Sequence, residues 1–356
     1  MPGMLGALLV IEDGTVIRGK GFGCVGEVVG EVVFNTSMTG YTEILTDPSN
    51  KGLIVVFTFP SVGNYAVPPD FESGTIQAEG VILKEACKEP SHWQSDKTLA
   101  KWFEESGTPG IEGVDTRQLT RKLIKDNTMS AVLSVYKDEP NISELIERAR
   151  DPGKTDLVSR VSAHRSKYFG AGGKRTVSIL DCGTRKSLLK ELNQRKINVR
   201  LKPPSSGKKE IMEDDPDALI ISGGPGDPSI LSHVIGTTRE VLNEIPIFGI
   251  GIGCQIVALA SGAKIVKMGF GHRGNQPVRD LGSGRIYITS QNHGYVLDAS
   301  SLEGKLEVTQ VNANDGTVEG ISHAELPIMG IQYHPEAGFD SKYLFDKFVR
   351  LMETHA

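Results

Sequence analysis

The chain has 356 residues, 38% of them hydrophobic and 23% charged, which is enough for about two domains with sizeable cores and excludes a disordered polymer. Its 39 basic and 44 acidic residues give a net charge of −5, which provides no field to attract nucleic acid or an anionic membrane. We therefore expect a small molecule or another protein as partner. The four cysteines are scattered without metal-ligand spacing, so we expect a reducing, cytoplasmic location and no metal site.

Residues 1–150 are predicted to form a β-rich domain of the α/β class. Short apolar runs separated by Gly, Pro, Asn and Asp indicate strands near residues 7–11, 32–34, 53–59 and 76–83. One helix is expected to carry Trp93 and Trp102 on its apolar face. Two more are expected, one with Asp115 as its N-cap and one over residues 142–150.

A change of pattern follows this first domain. Residues 151–173 are polar and contain several glycines, which predicts a linker before a second domain at 174–356. In that domain strands alternate with helices, which predicts a doubly wound, mostly parallel sheet with its ligand at the carboxyl ends of the strands. Three short basic clusters are expected to be solvated: Lys174-Arg175, Arg185-Lys186 and Lys208-Lys209.

One strand of the second domain runs into a turn with three closely spaced glycines and then an apolar helix. Gly249, Gly251 and Gly253 match the G-x-Nuc-x-G pattern of a nucleophile elbow, with Gly251 at the nucleophile position. A dinucleotide-binding turn is excluded because G-x-G-x-x-G needs glycine where Cys254 stands. A tight turn that only packs on its helix remains the alternative for this segment.

Three further segments carry polar groups at predicted strand ends. His334 and Glu336 can form a base with its orienting carboxylate, although a surface histidine at a strand end is the simpler alternative. The loop 222–228 contains consecutive glycines whose backbone N–H groups can bind an oxyanion, or it is a plain Pro-Gly turn. Residues 291–295 offer amide and backbone groups suited to binding an amino acid.

In this order, the motifs together resemble a class I (triad-type) glutamine amidotransferase domain. The matching segments are Ser222-Gly-Gly-Pro-Gly-Asp-Pro228, the elbow ending in Gln255, Ser261-Gly-Ala-Lys264, Phe270-Gly-His272, Gln291-Asn-His-Gly294 and His334-Pro-Glu336. The first half resembles the N-terminal domain of the carbamoyl-phosphate synthetase small-subunit family. That match is carried by residues 33–41, 43–49 and 115–121.

This resemblance implies a glutaminase that works through a cysteine thioester and passes ammonia to a large synthetase subunit. The large subunit would use bicarbonate and ATP to make carbamoyl phosphate for arginine and pyrimidine synthesis. The implied assembly is a heterodimer contacted through the first domain, with no cofactor in this chain and with ATP and divalent metal on the large subunit. By matching motif, His334 would be the base and Glu336 its orienter. The residues implied to bind L-glutamine are Ser49, Gly224, Gly226, Ile252, Gln255, Asn292, Gly294 and Tyr295.

The chain departs from the family pattern Gly-Ile-Cys-x-Gly-His-Gln at two positions. Gly251 stands where the nucleophilic cysteine belongs, and Cys254 replaces the histidine. Cys254 is a possible substitute because a helix N-terminus favours thiolate, but i and i+3 positions are roughly 5–6 Å apart, which argues against it. Two hypotheses follow: a glutaminase that uses Cys254 or another group, and a glutaminase-defective interaction subunit of an ammonia-dependent synthetase.

Overall fold

The computed structural model describes residues 5–93, 97–153, 155–302 and 304–355. The chain divides into two compact units, Met1–Thr155 and Asp156–Ala356, which are described separately. Within the described residues, no helix combines the length and apolar character needed to cross a bilayer.

The first unit is rich in strands, as the sequence predicts. Its strands are β1 (Gly6–Ile11), β2 (Val16–Gly23), β3 (Gly26–Asn35), β4 (Leu53–Phe57), β5 (Ser61–Val62), β6 (Gly80–Ile82), β7 (Glu85–Ala86), β8 (Pro109–Glu112) and β9 (Met129–Tyr136). Seven of them close a barrel in the order β1-β2-β8-β6-β4-β3-β9, and β5 pairs with β7. Alternate residues of the barrel strands enter different apolar clusters, so Leu9 and Leu8 of β1 belong to separate cores.

Four helices of the first unit pack against these strands. They are α1 (Tyr41–Thr46), α2 (Leu99–Glu105), α3 (Thr116–Asp126) and α4 (Ile142–Arg150). Asp115 caps α3 as predicted, since its Oδ1 accepts a hydrogen bond from the Gln118 N–H at 2.9 Å. The prediction for the first helix is wrong in one respect: Trp102 is buried in α2, whereas Trp93 lies outside the helix and is 86% exposed.

The second unit is built on one long sheet. Its strands are β10 (Lys167–Phe169), β11 (Thr176–Leu180), β12 (Asn198–Lys202), β13 (Ala218–Ile221), β14 (Ile247–Ile250), β15 (Ile265–Asp280), β16 (Ile286–Leu297), β17 (Leu306–Asn312), β18 (Val318–His323) and β19 (Ile328–Ile331). The order is β10-β12-β11-β13-β14-β19-β18-β17-β15-β16.

Helices cover both faces of this sheet, which confirms the doubly wound architecture. They are α5 (Val158–Val161), α6 (Lys186–Gln194), α7 (Lys208–Met212), α8 (Ser232–Val241), α9 (Ile252–Ala260) and α10 (Tyr343–Thr354). Helices α6 and α10 pack on one face with Ile179 and Phe248. Helices α7, α8 and α9 pack on the other with Leu180 and Ile247. Neighbouring strand residues thus point to opposite cores.

Two sequence expectations are corrected by the second unit. The neighbouring strands β12, β11, β13, β14 and β19 are parallel. Beyond β19 the sheet continues through β18, β17, β15 and β16 in antiparallel pairs. Long polar strands of this kind lack the strand–helix alternation on which the prediction of a mostly parallel sheet relied. Residues 156–173, predicted as linker, contain α5 and β10, and β10 pairs with β12 in this sheet. The short, exposed β10 has no apolar run to reveal it.

Candidate active site

The candidate site lies at the carboxyl ends of three adjacent parallel strands of the second unit. The loop 222–228 follows β13, Gly251 follows β14, and His334 comes shortly after β19. Because β13 pairs with β14 and β14 with β19, these three ends lie side by side at one edge of the sheet. Ligands of doubly wound sheets bind at such an edge.

Gly251 forms the turn between β14 and α9. Its φ of +57° and ψ of −120° lie in a region that residues with a side chain rarely adopt. Its N–H donates to the Ile331 carbonyl at 2.8 Å, and its own carbonyl accepts from the Cys254 N–H at 3.0 Å. The strained turn therefore lies where the sequence predicts a nucleophile elbow, and it is bound to both β19 and α9.

The glycines of this turn differ in the space that surrounds them. A Cβ atom on Gly253 would lie 2.0 Å from the Ile221 carbonyl oxygen, and one on Gly249 would lie 2.6 Å from the Gly253 carbonyl oxygen. A Cβ atom on Gly251 would meet its neighbours at ordinary contact distances and lie 4.0 Å from His334 Cε1. The flanks must therefore be glycine, while the central position accepts a side chain that faces the imidazole.

His334 and Glu336 form a buried pair beside this turn. The His334 Nδ1 and a carboxylate oxygen of Glu336 are 3.1 Å apart, and the His334 N–H donates to the Ser290 carbonyl at 2.9 Å. A carboxylate accepts hydrogen bonds, so Nδ1 carries the proton and Nε2 is the nitrogen that can take one. The pair is buried, so His334 is not a surface histidine, and its role as a base with Glu336 as orienter stays a prediction.

Arg185 adds a positive charge behind this pair. Its Nη1 lies 3.6 Å from Glu336 Oε1, and both side chains are buried. Burial alone would raise the pKa of Glu336, but the His334 hydrogen bond and the charges of His334 and Arg185 bring that pKa below its ordinary value. Glu336 is thus a carboxylate at neutral pH. The expectation that Arg185 is solvated is wrong. Its side chain is buried near the carboxyl end of β11, where it faces the Glu336 carboxylate.

The glycine loop after β13 approaches the neighbouring strand end closely. A Cβ atom on Gly224 would lie 2.0 Å from the Cys182 carbonyl oxygen, and Gly226 has a φ of +86°. The Ser222 hydroxyl accepts a hydrogen bond from the Cys182 N–H at 2.9 Å. The Ile252 side chain packs in the apolar core, so its backbone N–H at the start of α9 is the group that can face a ligand.

Gln255 connects α9 to the segment predicted to bind an amino acid. Its amide nitrogen donates to the Tyr295 carbonyl at 2.8 Å and to Gln332 Oε1 at 3.0 Å. Asn292 and Gly294 precede Tyr295 in β16, so the same strand carries all three predicted residues. Gln255 therefore joins α9 to β16 at Tyr295, and the binding of glutamine by these residues stays a prediction.

The Cys254 side chain packs in the interior of the second unit, although its backbone is bound to the Gly251 turn. It is fully buried in a cluster with Ala258, Leu297 and Ile321. Burial, and then the negative charge of Glu319, raise the pKa of its thiol far above the ordinary value. A protonated thiol packed among apolar side chains is a weak nucleophile, so its environment favours a packing role.

Ser49 belongs to the first unit. It is buried in a short 3-10 turn over Pro48–Asn50, and its N–H donates to Asp47 Oδ1 at 2.9 Å. This bond fixes the backbone of the turn. Its predicted contact with glutamine stays a prediction.

Each half of the chain matches a known protein family. Residues 9–133 match the family model for the carbamoyl-phosphate synthase small chain, CPSase domain, and residues 178–351 match that for class-I glutamine amidotransferase. The carbamoyl phosphate synthase small chain of Methanopyrus kandleri is 45% identical, covering 98% of this chain and 99% of the relative. Those of Archaeoglobus fulgidus (42%; 98% and 99%) and Staphylococcus epidermidis (45%; 97% and 95%) are also similar. The chain therefore belongs to the carbamoyl-phosphate synthase small chain family.

Proposed function

We propose that this chain is the glutamine amidotransferase subunit that works with a large subunit in carbamoyl phosphate synthesis. One observation carries the proposal of a glutamine site: a side chain at residue 251 would project from a strained turn toward His334, which is hydrogen-bonded to Glu336. This is the arrangement of nucleophile, base and orienter that acyl transfer from a carboxamide requires. Membership of the small chain family supports the assignment.

The residues of the site have distinct proposed roles. His334 accepts a proton through Nε2, and Glu336 holds its ring while Arg185 keeps that carboxylate charged. The N–H of Ile252 and the glycine loop at Gly224 stabilise the oxyanion that forms when the carboxamide carbon is attacked. Within the second unit, glutamine is bound by Gly226, Gln255, Asn292, Gly294 and Tyr295.

Gly251 determines which reaction the isolated site can perform. Glycine has no atom that can attack the carboxamide, so a thioester cannot form at this residue. The nucleophile left to His334 is water: its oxygen bonds to the carboxamide carbon, and its proton passes through His334 to the departing ammonia. Direct attack of this kind is slower by orders of magnitude than attack by a cysteine, as the loss of a triad nucleophile shows in other hydrolases.

The same glycine makes a second candidate worth testing, a subunit that supports synthesis from free ammonium, although the family match supports the glutamine-dependent role. In both versions ATP, bicarbonate and the divalent metal bind to the large subunit, and the carbamoyl phosphate serves the synthesis of arginine and pyrimidines. The two candidates therefore differ in the source of nitrogen and not in the assembly.

One experiment separates them. The chain is reconstituted with its large subunit, ATP and bicarbonate, and carbamoyl phosphate is measured with either glutamine or ammonium as sole nitrogen donor. Synthesis from glutamine that is lost in His334→Asn supports the first candidate. Synthesis from ammonium alone supports the second. If the chain neither binds the large subunit nor changes its synthesis with either donor, the proposed subunit role is wrong.

A further inference from the structure

A cluster of three buried metal-ligating side chains lies in the antiparallel part of the second unit. His272 of β15 and His293 of β16 are register partners, and Glu319 of β18 joins them. Their exposed fractions are 5%, 7% and 0%, and one ligand atom from each lies within 4.8 Å of the others. Side chains alternate along a strand, so His293 lies on the face of β16 opposite the one that carries Asn292 and Gly294.

The outer nitrogen of each histidine is held by an acceptor. His272 Nε2 lies 2.9 Å from Asp315 Oδ2, and His293 Nδ1 lies 2.9 Å from the Tyr295 carbonyl oxygen. Both partners accept protons, so these outer nitrogens donate. His293 Nε2 therefore presents a lone pair inward, whereas His272 Nδ1 lies 3.2 Å from a Glu319 oxygen and gives up any proton that it shares with this carboxylate when a metal ion binds. Metal-bound histidines are held in this way by a carboxylate or a backbone carbonyl.

Further acceptor atoms point at the same inner space. The Gln291 amide nitrogen donates to Thr289 Oγ1 at 3.1 Å, which turns Gln291 Oε1 toward His293 Nε2 at 2.6 Å. With Nδ1 as the donor of His293, an oxygen and a nitrogen lone pair face each other there. Two acceptors at this distance repel each other unless a cation lies beside them.

Glu319 provides a second and independent observation that points to a bound cation. Its Oε1 accepts from Asn312 Nδ2 at 2.9 Å and lies 3.2 Å from His272 Nδ1. Its Oε2 is buried and receives no hydrogen bond from the described residues, and His293 Nε2 lies 3.9 Å from it. Leaving a buried carboxylate oxygen unpartnered is costly, and a bound cation would remove that cost.

We propose that His272, His293 and Glu319 bind a zinc ion, with the Gln291 amide oxygen or a water as fourth ligand. Zinc with bonds of about 2.0–2.1 Å holds tetrahedral ligands about 3.3 Å apart. His272 Nδ1 lies 3.2 Å from Glu319 Oε1 and His293 Nε2 lies 3.9 Å from Glu319 Oε2, so small side-chain movements bring one carboxylate and both imidazoles to this spacing. Two imidazoles and one carboxylate are a ligand set that suits zinc. The ion joins β15, β16 and β18. Its role is structural, because the proposed glutamine chemistry needs no metal.

The test uses the untagged full-length chain, stripped with EDTA and dialysed against zinc alone. We expect one zinc per chain by elemental analysis and a higher unfolding temperature with zinc than with EDTA. Glu319→Gln removes a ligand and should weaken zinc binding by more than about 100-fold. Asp315→Asn changes the half-exposed partner of His272 but leaves an amide oxygen that can still accept from the Thr317 N–H, and it should weaken zinc binding by about 10–100-fold.

Matched controls separate this site from surface binding. His233→Asn and His355→Asn change exposed histidines and should leave the zinc content and affinity unchanged. If Glu319→Gln fails to fold, Asp315→Asn still tests the zinc site, because the Asp315 side chain is 41% exposed and its substitution should leave the fold intact. The proposal is wrong if the wild-type chain does not retain zinc, or if both site variants retain zinc as tightly as the wild type does. In that case the three side chains are held together by shared protons and not by a metal ion. Neither result depends on glutamine hydrolysis, so the proposed function is tested separately.

Discussion

At the end of β19, His334 is buried, hydrogen-bonded to Glu336 and backed by Arg185, whereas the neighbouring end of β14 presents Gly251, which has no side chain. A backbone hydrogen bond joins the two strand ends. The turn at Gly251 depends on its bond to Ile331 and on the close packing of its flanking glycines, and none of these contacts needs a side chain at residue 251. The geometry of a nucleophile elbow is thus maintained without the nucleophile.

The largest expected effect comes from supplying the missing side chain. Gly251→Cys should raise the rate of ammonia release from glutamine by about 10⁴-fold or more, because a thiol at this position faces His334. The rate is measured with purified chain and saturating glutamine. Gly251→Ala imposes the same backbone strain without a nucleophile and should give no gain. An equal gain in both variants would show that the thiol is not responsible.

The next effect tests the opposite strand end. In the Gly251→Cys background, His334→Asn should lower the glutaminase rate by about 10²–10⁴-fold, because the thiol loses its base. Cys254→Ala in the same background should leave the rate nearly unchanged, since that thiol packs in the core. A large loss in the Cys254→Ala variant would instead identify Cys254 as the nucleophile.

Stability should distinguish the central glycine of the turn from its flank. Gly253→Ala should lower the free energy of unfolding by about 3 kcal/mol or more, because its Cβ would overlap the Ile221 carbonyl and the backbone would have to move. Gly251→Ala fits sterically, so backbone strain, partly offset by a less flexible unfolded chain, should cost about 1 kcal/mol. Urea unfolding measures both. Equal costs would contradict the description of the turn.

Arg185 tests the charge behind the base. Arg185→Met should lower the free energy of unfolding by about 3 kcal/mol, because buried Glu336 loses its cationic partner while His334 remains. Lys186→Met, at the exposed neighbouring position, should change stability by less than about 0.5 kcal/mol. If the two substitutions have equal effects in urea unfolding, Arg185 does not stabilise the carboxylate.

The smallest effect is a pH dependence of stability that Glu336 contributes. Its pKa in the folded chain is below the ordinary value of 4.5, so the ionised carboxylate stabilises the fold at pH values above 4.5. This contribution is lost as the pH falls through the folded pKa. The stability difference between the wild type and Glu336→Gln should thus be greatest near neutral pH and shrink in acid. Urea unfolding over an acid series checks the sign, and a difference that grows in acid would contradict it.

Local sequence signals predicted much of the site, and long-range contacts account for what was missed. The elbow at Gly251 and the pair of His334 and Glu336 each lie within a few residues, so spacing pointed to them, and the family resemblance favoured them over a plain turn and a surface histidine. Arg185 was missed because a basic pair after a strand is usually solvated, and its partner Glu336 is far away in sequence. The histidine and carboxylate cluster around Glu319 was missed for the same reason, since antiparallel pairing of β15 with β16 assembles it.

The reactivity of a thiol introduced by Gly251→Cys tests most directly whether residue 251 faces His334 in the glutamine site. Alkylation with iodoacetamide near neutral pH, located by mass spectrometry, should modify residue 251 much faster than the buried Cys254 and Cys182. Glutamine should slow the alkylation of residue 251. In a separate comparison without glutamine, His334→Asn should also slow it, because the thiol loses its base. If this thiol is inert, or if it reacts equally with and without glutamine and His334, residue 251 does not face His334 in a glutamine site.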